Sequence, residues 1–140
     1  MDNAAIVRRW FEEVWNQGRE AAIEELMAQD AAVHGVAGPD QVHRGPAAFK
    51  PFWQQFRNAF PDIHFTMDDL ISEGDIVAGR WTARMTHTGD QLGVAATQKP
   101  LTITGMVFAR VKNGKMVEGW NSWDQLTFTR ELGLPITGPG

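Results

Sequence analysis

Residues 105–124 read GMVFARVKNGKMVEGWNSWD. Asn113-Gly114 stands between two runs rich in Val, Met, Phe and Trp, and Asn-Gly tolerates the positive φ angles of a two-residue type I′ hairpin turn. With the turn at those residues, Lys112 lies opposite Lys115. Counting outward then pairs Val111 with Met116, Ala109 with Glu118, Val107 with Trp120, Gly105 with Ser122 and Ile103 with Asp124. The odd-numbered residues of 103–111 share one face. Gly105 and Ala109 are small enough to leave a hollow there, and this register makes Gly105, Val107, Trp120 and Ser122 its walls.

Asp124 ends the second strand on that face, in apolar company. Desolvation disfavours the carboxylate and raises its pKa toward the working pH, the condition a general acid or base needs. The plainer reading makes Asp124 the N-cap of a helix starting at Gln125, because Asp is a favoured cap and its charge suits a helix N-terminus.

Composition bounds the rest. A chain of 140 residues suffices for one domain with a full core and is too short for two of ordinary size. At 43% hydrophobic and 21% charged residues it has the balance of a soluble globular protein. No run of about 18 apolar residues offers a membrane span. The opening MDNAAIVRRW lacks the basic, apolar and small-residue succession of a secretory signal, which points to a cytoplasmic setting. No cysteine is present, so disulfides, thiolate nucleophiles and zinc–cysteine sites drop out. The four histidines are widely spaced, with no His-x-x-x-His pair and no Asp-rich loop, and no metal site is expected. A formal charge of −4 without a basic cluster argues against nucleic acid or an anionic membrane and leaves a small molecule as the expected partner. Tyrosine is also absent, beside six Trp and eight Phe, so no buried phenol serves as an oxyanion donor.

From Asn3 to Trp15, Ile6, Trp10 and Val14 recur at four-residue steps with Val7 and Phe11 beside them, while Arg8, Arg9, Glu12 and Glu13 take the other side of an amphipathic helix. After Asn16-Gln17-Gly18 a second helix runs from Arg19 to Ala28 on Ile23, Leu26 and Met27. A short strand, Ala31 to Val36, carries His34 and breaks at Gly38-Pro39-Asp40. A loop through His43-Arg44-Gly45-Pro46 leads into a third helix, Ala47 to Phe60, with Pro46 in its first turn and Pro51 early enough to be tolerated. Phe49, Phe52, Trp53, Phe56 and Phe60 form its wide aromatic face, which is first of all core, with Trp53 and Phe56 as candidates to line a cavity that suits flat ligands. Two strands follow, about Ile63 to Ser72 and Ile76 to Thr88, joined through Glu73-Gly74-Asp75; a turn at Gly74-Asp75, and not at Glu73-Gly74, sets Arg80 opposite Asp69. His87 lies where the second strand gives way to a loop, a rim that often carries function. Residues 89–100, GDQLGVAATQKP, are either a plain connection or a lid carrying Leu92, Val94 and Pro100. Beyond Asp124 a short helix, Gln125 to Leu132, ends at Gly133, and residues 135–140 belong to a Pro and Gly tail expected to fray. Three helices ahead of mostly antiparallel strands mean an α+β fold with the helices on one face of a curved sheet.

The phrases FEEVWNQGREAAIEELMAQD and THTGDQLGVAATQKPLTITGMVFARVKNGKMVEGWNSWDQ, with the closing helix, resemble SnoaL-like polyketide cyclases of the nuclear-transport-factor-2-like superfamily. The resemblance runs from about Ile6 to Leu134 and is most specific in the final hairpin with Glu118, Trp120 and Asp124. It implies a cone-shaped α+β barrel whose strongly bent sheet and three helices enclose one deep apolar pocket, commonly in a homodimer. It further implies intramolecular aldol closure of an aromatic polyketide ester, without metal or cofactor. Asp124 matches the family's acid–base aspartate, and His34 and His87 fall at pocket polar positions, where each would orient a substrate carbonyl or tune Asp124. The same superfamily also holds ketosteroid isomerases, epoxide hydrolases and dehydratases. The missing tyrosine speaks against an isomerase or scytalone-dehydratase type of site. An epoxide hydrolase would need an Asp-Arg-Asp set, for which Arg80 and Arg84 are the candidates. From another class comes a non-catalytic carrier or sensor of a hydrophobic small molecule, which turnover against mere binding separates from an enzyme.

Overall fold

The computed structural model describes residues 2–38 and 40–134, so the tail at 135–140 lies outside the described residues. Helix α1 (Asn3–Arg9) starts at Asp2, whose carboxylate accepts the Ala5 backbone N–H at 2.7 Å and so satisfies a donor the first turn leaves free. It runs on into wider π-helical turns over Trp10–Asn16. Together these turns bury Ile6, Val7, Trp10, Phe11, Val14 and Trp15, the stripe that the four-residue spacing predicts. Two carbonyls at their end take side-chain donors: Val14 accepts from Trp53 Nε1 at 2.9 Å and Trp15 from Arg57 Nη1 at 2.6 Å. Both donors stand on helix α3 (Gly45–Ala59), which is thereby latched to the first helix by hydrogen bonds as well as by its aromatic face. Because α3 begins before the predicted Ala47, Pro51 falls in its interior; it lies on the exposed side, where its missing N–H is the main loss.

Helix α2 (Ala21–Leu26) is shorter than predicted because the chain passes straight into strand β1 (Met27–His34), where Met27 already pairs with Met116. Strand β2 (Val42–Arg44), read from sequence as loop, pairs antiparallel with β1. Strands β3 (His64–Glu73), β4 (Ile76–Thr86), β5 (Pro100–Lys112) and β6 (Lys115–Trp123) complete a six-stranded sheet of order β2-β1-β6-β5-β4-β3. The β1–β6 pair is parallel and the others antiparallel. The sheet curls without closing, and helix α4 (Gln125–Leu132) follows β6 and stops at left-handed Gly133. This is the expected α+β architecture. The β3–β4 turn is Gly74-Asp75, which sets Asp69 opposite Arg80 with Arg80 Nη2 and Asp69 Oδ2 2.7 Å apart. Asn113 and Gly114 have φ of 54° and 77°, as the type I′ turn requires.

On the face of the sheet turned away from the helices, one transverse row runs in register across five strands: His34, Trp120, Phe108, Ala78 and Ile71. Phe108 is 54% exposed and Ile71 71%, and Met106 beside them is 58% exposed. Among the described residues no helix is long and apolar enough to cross a membrane.

Candidate active site

The hairpin keeps its predicted pairing only as far as Val111 and Met116. There Val117 enters as an extra residue, so that Arg110 pairs with Glu118, a β-bulge. Beyond it Ala109 faces Gly119, Val107 faces Asn121 and Gly105 faces Trp123. Strand side chains alternate, so a slip of one residue exchanges the faces. Trp120 and Ser122, expected to line the hollow, therefore belong to the outer face, and Asn121 and Trp123 take their places. Val107 keeps its predicted position in the wall. Gly105 is on the same face but lies beneath the Trp81 indole and does not form wall surface itself.

The inner face, the Trp10–Asn16 turns and α3 line a cavity whose empty space, counted through its open mouth into solvent, is about 930 Å³. Phe11, Trp15, Phe52, Phe56, Phe65 and Met85 represent its lining, which is apolar almost throughout. Phe56 is there as predicted. Trp53 is not, because its ring is buried in the helix packing and its N–H is held by Val14. Glu118 is the one titratable residue along the wall, but the slip that turns Trp120 and Ser122 outward turns its side chain outward as well, and Asn121 is the one amide.

Two of the lining residues are tied to the end of β1. Asn121 Nδ2 donates to the His34 carbonyl at 3.0 Å, and Trp123 Nε1 donates to the carbonyls of Gly35 and Val36 at 3.3 and 3.1 Å. Gly35 makes this approach possible: its φ is +84°, and a Cβ there would stand 2.2 Å from the Asn121 carbonyl oxygen.

His34 departs from expectation. It leaves the inner face with Trp120, on which its ring stacks at 5.8 Å and 11°, and its Nε2 lies 2.8 Å from the carboxylate of Glu118 on that same outer face. Asp124 departs further. It is exposed, and its carboxylate accepts from the Thr127 backbone N–H at 3.1 Å and from Thr127 Oγ1 at 2.6 Å. Those hydrogen bonds hold its pKa below the ordinary Asp value, the opposite of the rise that burial would bring. The bulge shifts Asp124 off the inner face, and the N-cap role prevails. His87 is fully buried but outside the cavity wall: Thr97 contacts its Nδ1 through both backbone N–H and Oγ1 at 3.1 Å. Together with His87 N–H to Lys99 O at 3.0 Å and Gln98 N–H to His87 O at 2.8 Å, this pins the loop that follows β4. The loop's Gln91 carbonyl accepts from Gln55 at 2.7 Å, and no residue of 93–99 lines the cavity any more than those of 89–92 do, so the loop is a connection and not a lid. Arg80 and Arg84 are both exposed and outside the wall, which removes the arginine an epoxide-hydrolase site requires. Among the described residues no three His, Asp or Glu side chains converge as metal ligands.

The sequence profile of the SnoaL-like polyketide cyclases matches residues 5–132. The chain belongs to that family. Solved structures agree with the assignment. IdmH from Streptomyces antibioticus, a candidate polyketide cyclase, is 31% identical over 96% of this chain and 100% of its own, with a TM-score of 0.82. A candidate polyketide cyclase from Acidithiobacillus ferrooxidans is 25% identical over 94% of this chain and 95% of its own, with a TM-score of 0.81. AclR from Streptomyces galilaeus, a candidate hydroxylase, is also 25% identical, over 95% and 97% of the two chains, with a TM-score of 0.81. No curated protein matches the sequence. This SnoaL-like chain thus shares its fold with proteins of more than one named activity, and its chemistry has to be argued from its own cavity.

Proposed function

We propose that this SnoaL-like chain is a cyclase-type enzyme that binds a hydrophobic, aromatic carbonyl compound in the cavity and closes a ring by cofactor-independent aldol chemistry. The observation that supports this is an apolar cavity walled by Phe11, Trp15, Phe52, Phe56 and Phe65, with Asn121 as its one amide. A proton leaves the carbon next to one carbonyl, and the conjugated substrate spreads the electron pair as an enolate. The enolate carbon attacks a second carbonyl of the same molecule, and the new alkoxide takes the proton back. Apolar walls hold the substrate in its folded shape and keep bulk water from the enolate. The test is incubation with an aromatic polyketide methyl ester, following conversion to an isomer of equal mass by chromatography and mass spectrometry. Tight binding without isomerisation would support a carrier or sensor instead, a reading favoured by the scarcity of titratable groups in the wall.

Asp124 serves this scheme as a cap and not as a reacting group. Asp124→Asn is expected to keep more than about a third of wild-type turnover, because Asn caps a helix about as well as Asp; Asp124→Ala should cost about 1 kcal/mol of stability. Since the folded carboxylate has a lowered pKa, the cap's contribution is present at neutral pH and is lost only as pH falls through that lowered value. Loss of turnover by about 100-fold in the Asn variant, an effect of the size of acid–base catalysis, would return Asp124 to the chemistry.

A homodimer belongs to the same proposal, with the row of Trp120, Phe108 and Ile71 covered by a second copy, because a contiguous exposed apolar strip of this kind marks an interaction surface. Sedimentation should show a dimer at micromolar concentration and a folded monomer for Phe108→Glu. A monomeric wild type would refute the assembly and leave the cavity reading standing.

A further inference from the structure

We infer that Asn121 makes the cavity selective for a ligand that carries a hydroxyl on its aromatic ring, with the Asn121 side-chain oxygen accepting that O–H; the inference rests on the ligand-binding role proposed above. Asn121 lies directly opposite Val107, and residues opposite one another share a face, so both line the cavity. Asn121 Nδ2 donates to the His34 carbonyl at 3.0 Å. A carbonyl takes only a donor, so this bond decides which end of the amide is nitrogen and leaves Oδ1 at the other end. Among the described residues no group donates to that oxygen. It is not shut away either: the buried side-chain polar atoms without a partner are His43 Nδ1, Trp81 Nε1 and His87 Nε2, whereas Asn121 is half-buried and its oxygen stays open.

The wall beside the amide is bare. Gly119, two residues earlier on the same face, also lines the cavity. A Cβ there would have nothing nearer than the Phe108 carbonyl oxygen at 3.9 Å and Asn121 Nδ2 at 4.0 Å, so open floor reaches as far as the amide. Ala109, opposite Gly119, adds only a methyl group. A flat ring lying over these two residues brings a ring substituent to Asn121. The rest of the lining offers that substituent no competing acceptor side chain, because the Glu118 carboxylate is on the outer face and indoles only donate. A ring without an O–H would displace water from Oδ1 and leave an acceptor unpaired in apolar surroundings, which is costly, whereas a hydroxyl replaces the lost partner. The bond to His34 holds the amide in place before the ligand arrives, which lowers the cost of ordering on binding.

The test compares 1-naphthol, which donates a hydrogen bond, with 1-methoxynaphthalene, which keeps the oxygen but cannot donate, and with naphthalene. Affinities are measured by calorimetry for the wild type, Asn121→Leu and Gly119→Val. Asn121→Leu should lower the affinity for naphthol relative to the other two probes by about fivefold, the size of one net hydrogen bond. A merely structural effect of losing the tie to His34 would weaken all three together and leave the ratios alone. Gly119→Val should weaken all three, because its side chain takes the floor beside Asn121. In the wild type the carbon-13 resonance of Asn121 Cγ should move further downfield with naphthol than with either analogue, a readout that holds even where the Leu variant does not fold. Unchanged ratios in Asn121→Leu, undiminished binding to Gly119→Val, or the same Asn121 response to all three probes overturns the inference and leaves the proposed function intact. Failure of the wild type to bind any of the probes overturns both.

Discussion

Glu118→Gln is expected to keep more than about a third of wild-type turnover of an aromatic polyketide ester, with ligand affinity and fold retained, because the register that turns Trp120 outward puts the Glu118 carboxylate on the outer face, 2.8 Å from His34 Nε2. Gln has nearly the shape of Glu and leaves His34 a hydrogen-bonding partner. A loss of about 10²- to 10⁴-fold in kcat, the size of acid–base catalysis, would show that this carboxylate reaches the substrate. Loss confined to KM would make Glu118 a binding group.

The largest effect on stability is expected from Gly35→Ala. A left-handed φ of +84° is unfavourable for any residue with a Cβ, and here the added atom would also stand 2.2 Å from the Asn121 carbonyl oxygen, a backbone atom that cannot turn aside. Strain and overpacking together come to about 3 kcal/mol, which for a domain of this size lowers Tm by roughly 10 °C. Gly74 supplies the control. Its φ is also positive, at +59°, but nothing lies within 4 Å of the place a Cβ would take, so Gly74→Ala should show the conformational cost alone, about 1 kcal/mol. Equal melting temperatures for the two variants would show that the close approach of β1 to β6 is unimportant. Because Asn121 and Trp123 hang from that junction through His34, Gly35 and Val36, the Gly35 variant should also bind hydrophobic ligands more weakly.

Much of the fold is legible in the sequence because it is carried by periodicity and by residues with special φ. The spacing of Ile6, Trp10 and Val14 identifies the first helix, Asn113-Gly114 identifies the last turn, and Gly133 marks the end of the last helix. Strand β2 is not legible: three residues, Val42–Arg44, are too few to show alternation, and they pair only because β1 runs beside them. The site is legible in outline, as a hollow walled by aromatic residues, and misleading in detail. Val107 and Phe56 line it, but Asp124 answers to two rules, an acid at a strand end and an acid before a helix. The choice between them depends on a register that local residue types do not reveal.

The extra residue at Val117 gives the cavity a dependence on counting. The last strand presents Asn121 and Trp123 inward only because one residue too many precedes them. Deleting Val117 itself would take out the bulge and leave the later pairing as it is, whereas a single-codon deletion at Gly119, with the bulge kept, would turn the strand end over, carrying Trp120 and Ser122 inward and moving Asp124 toward the interior. Two descendants of one gene that differ by that codon would keep the same fold and nearly the same composition yet enclose different chemistry. Among relatives of this chain, the parity of the bulge therefore determines which letters of the closing hairpin face a substrate, and substitutions there change meaning from one lineage to the next.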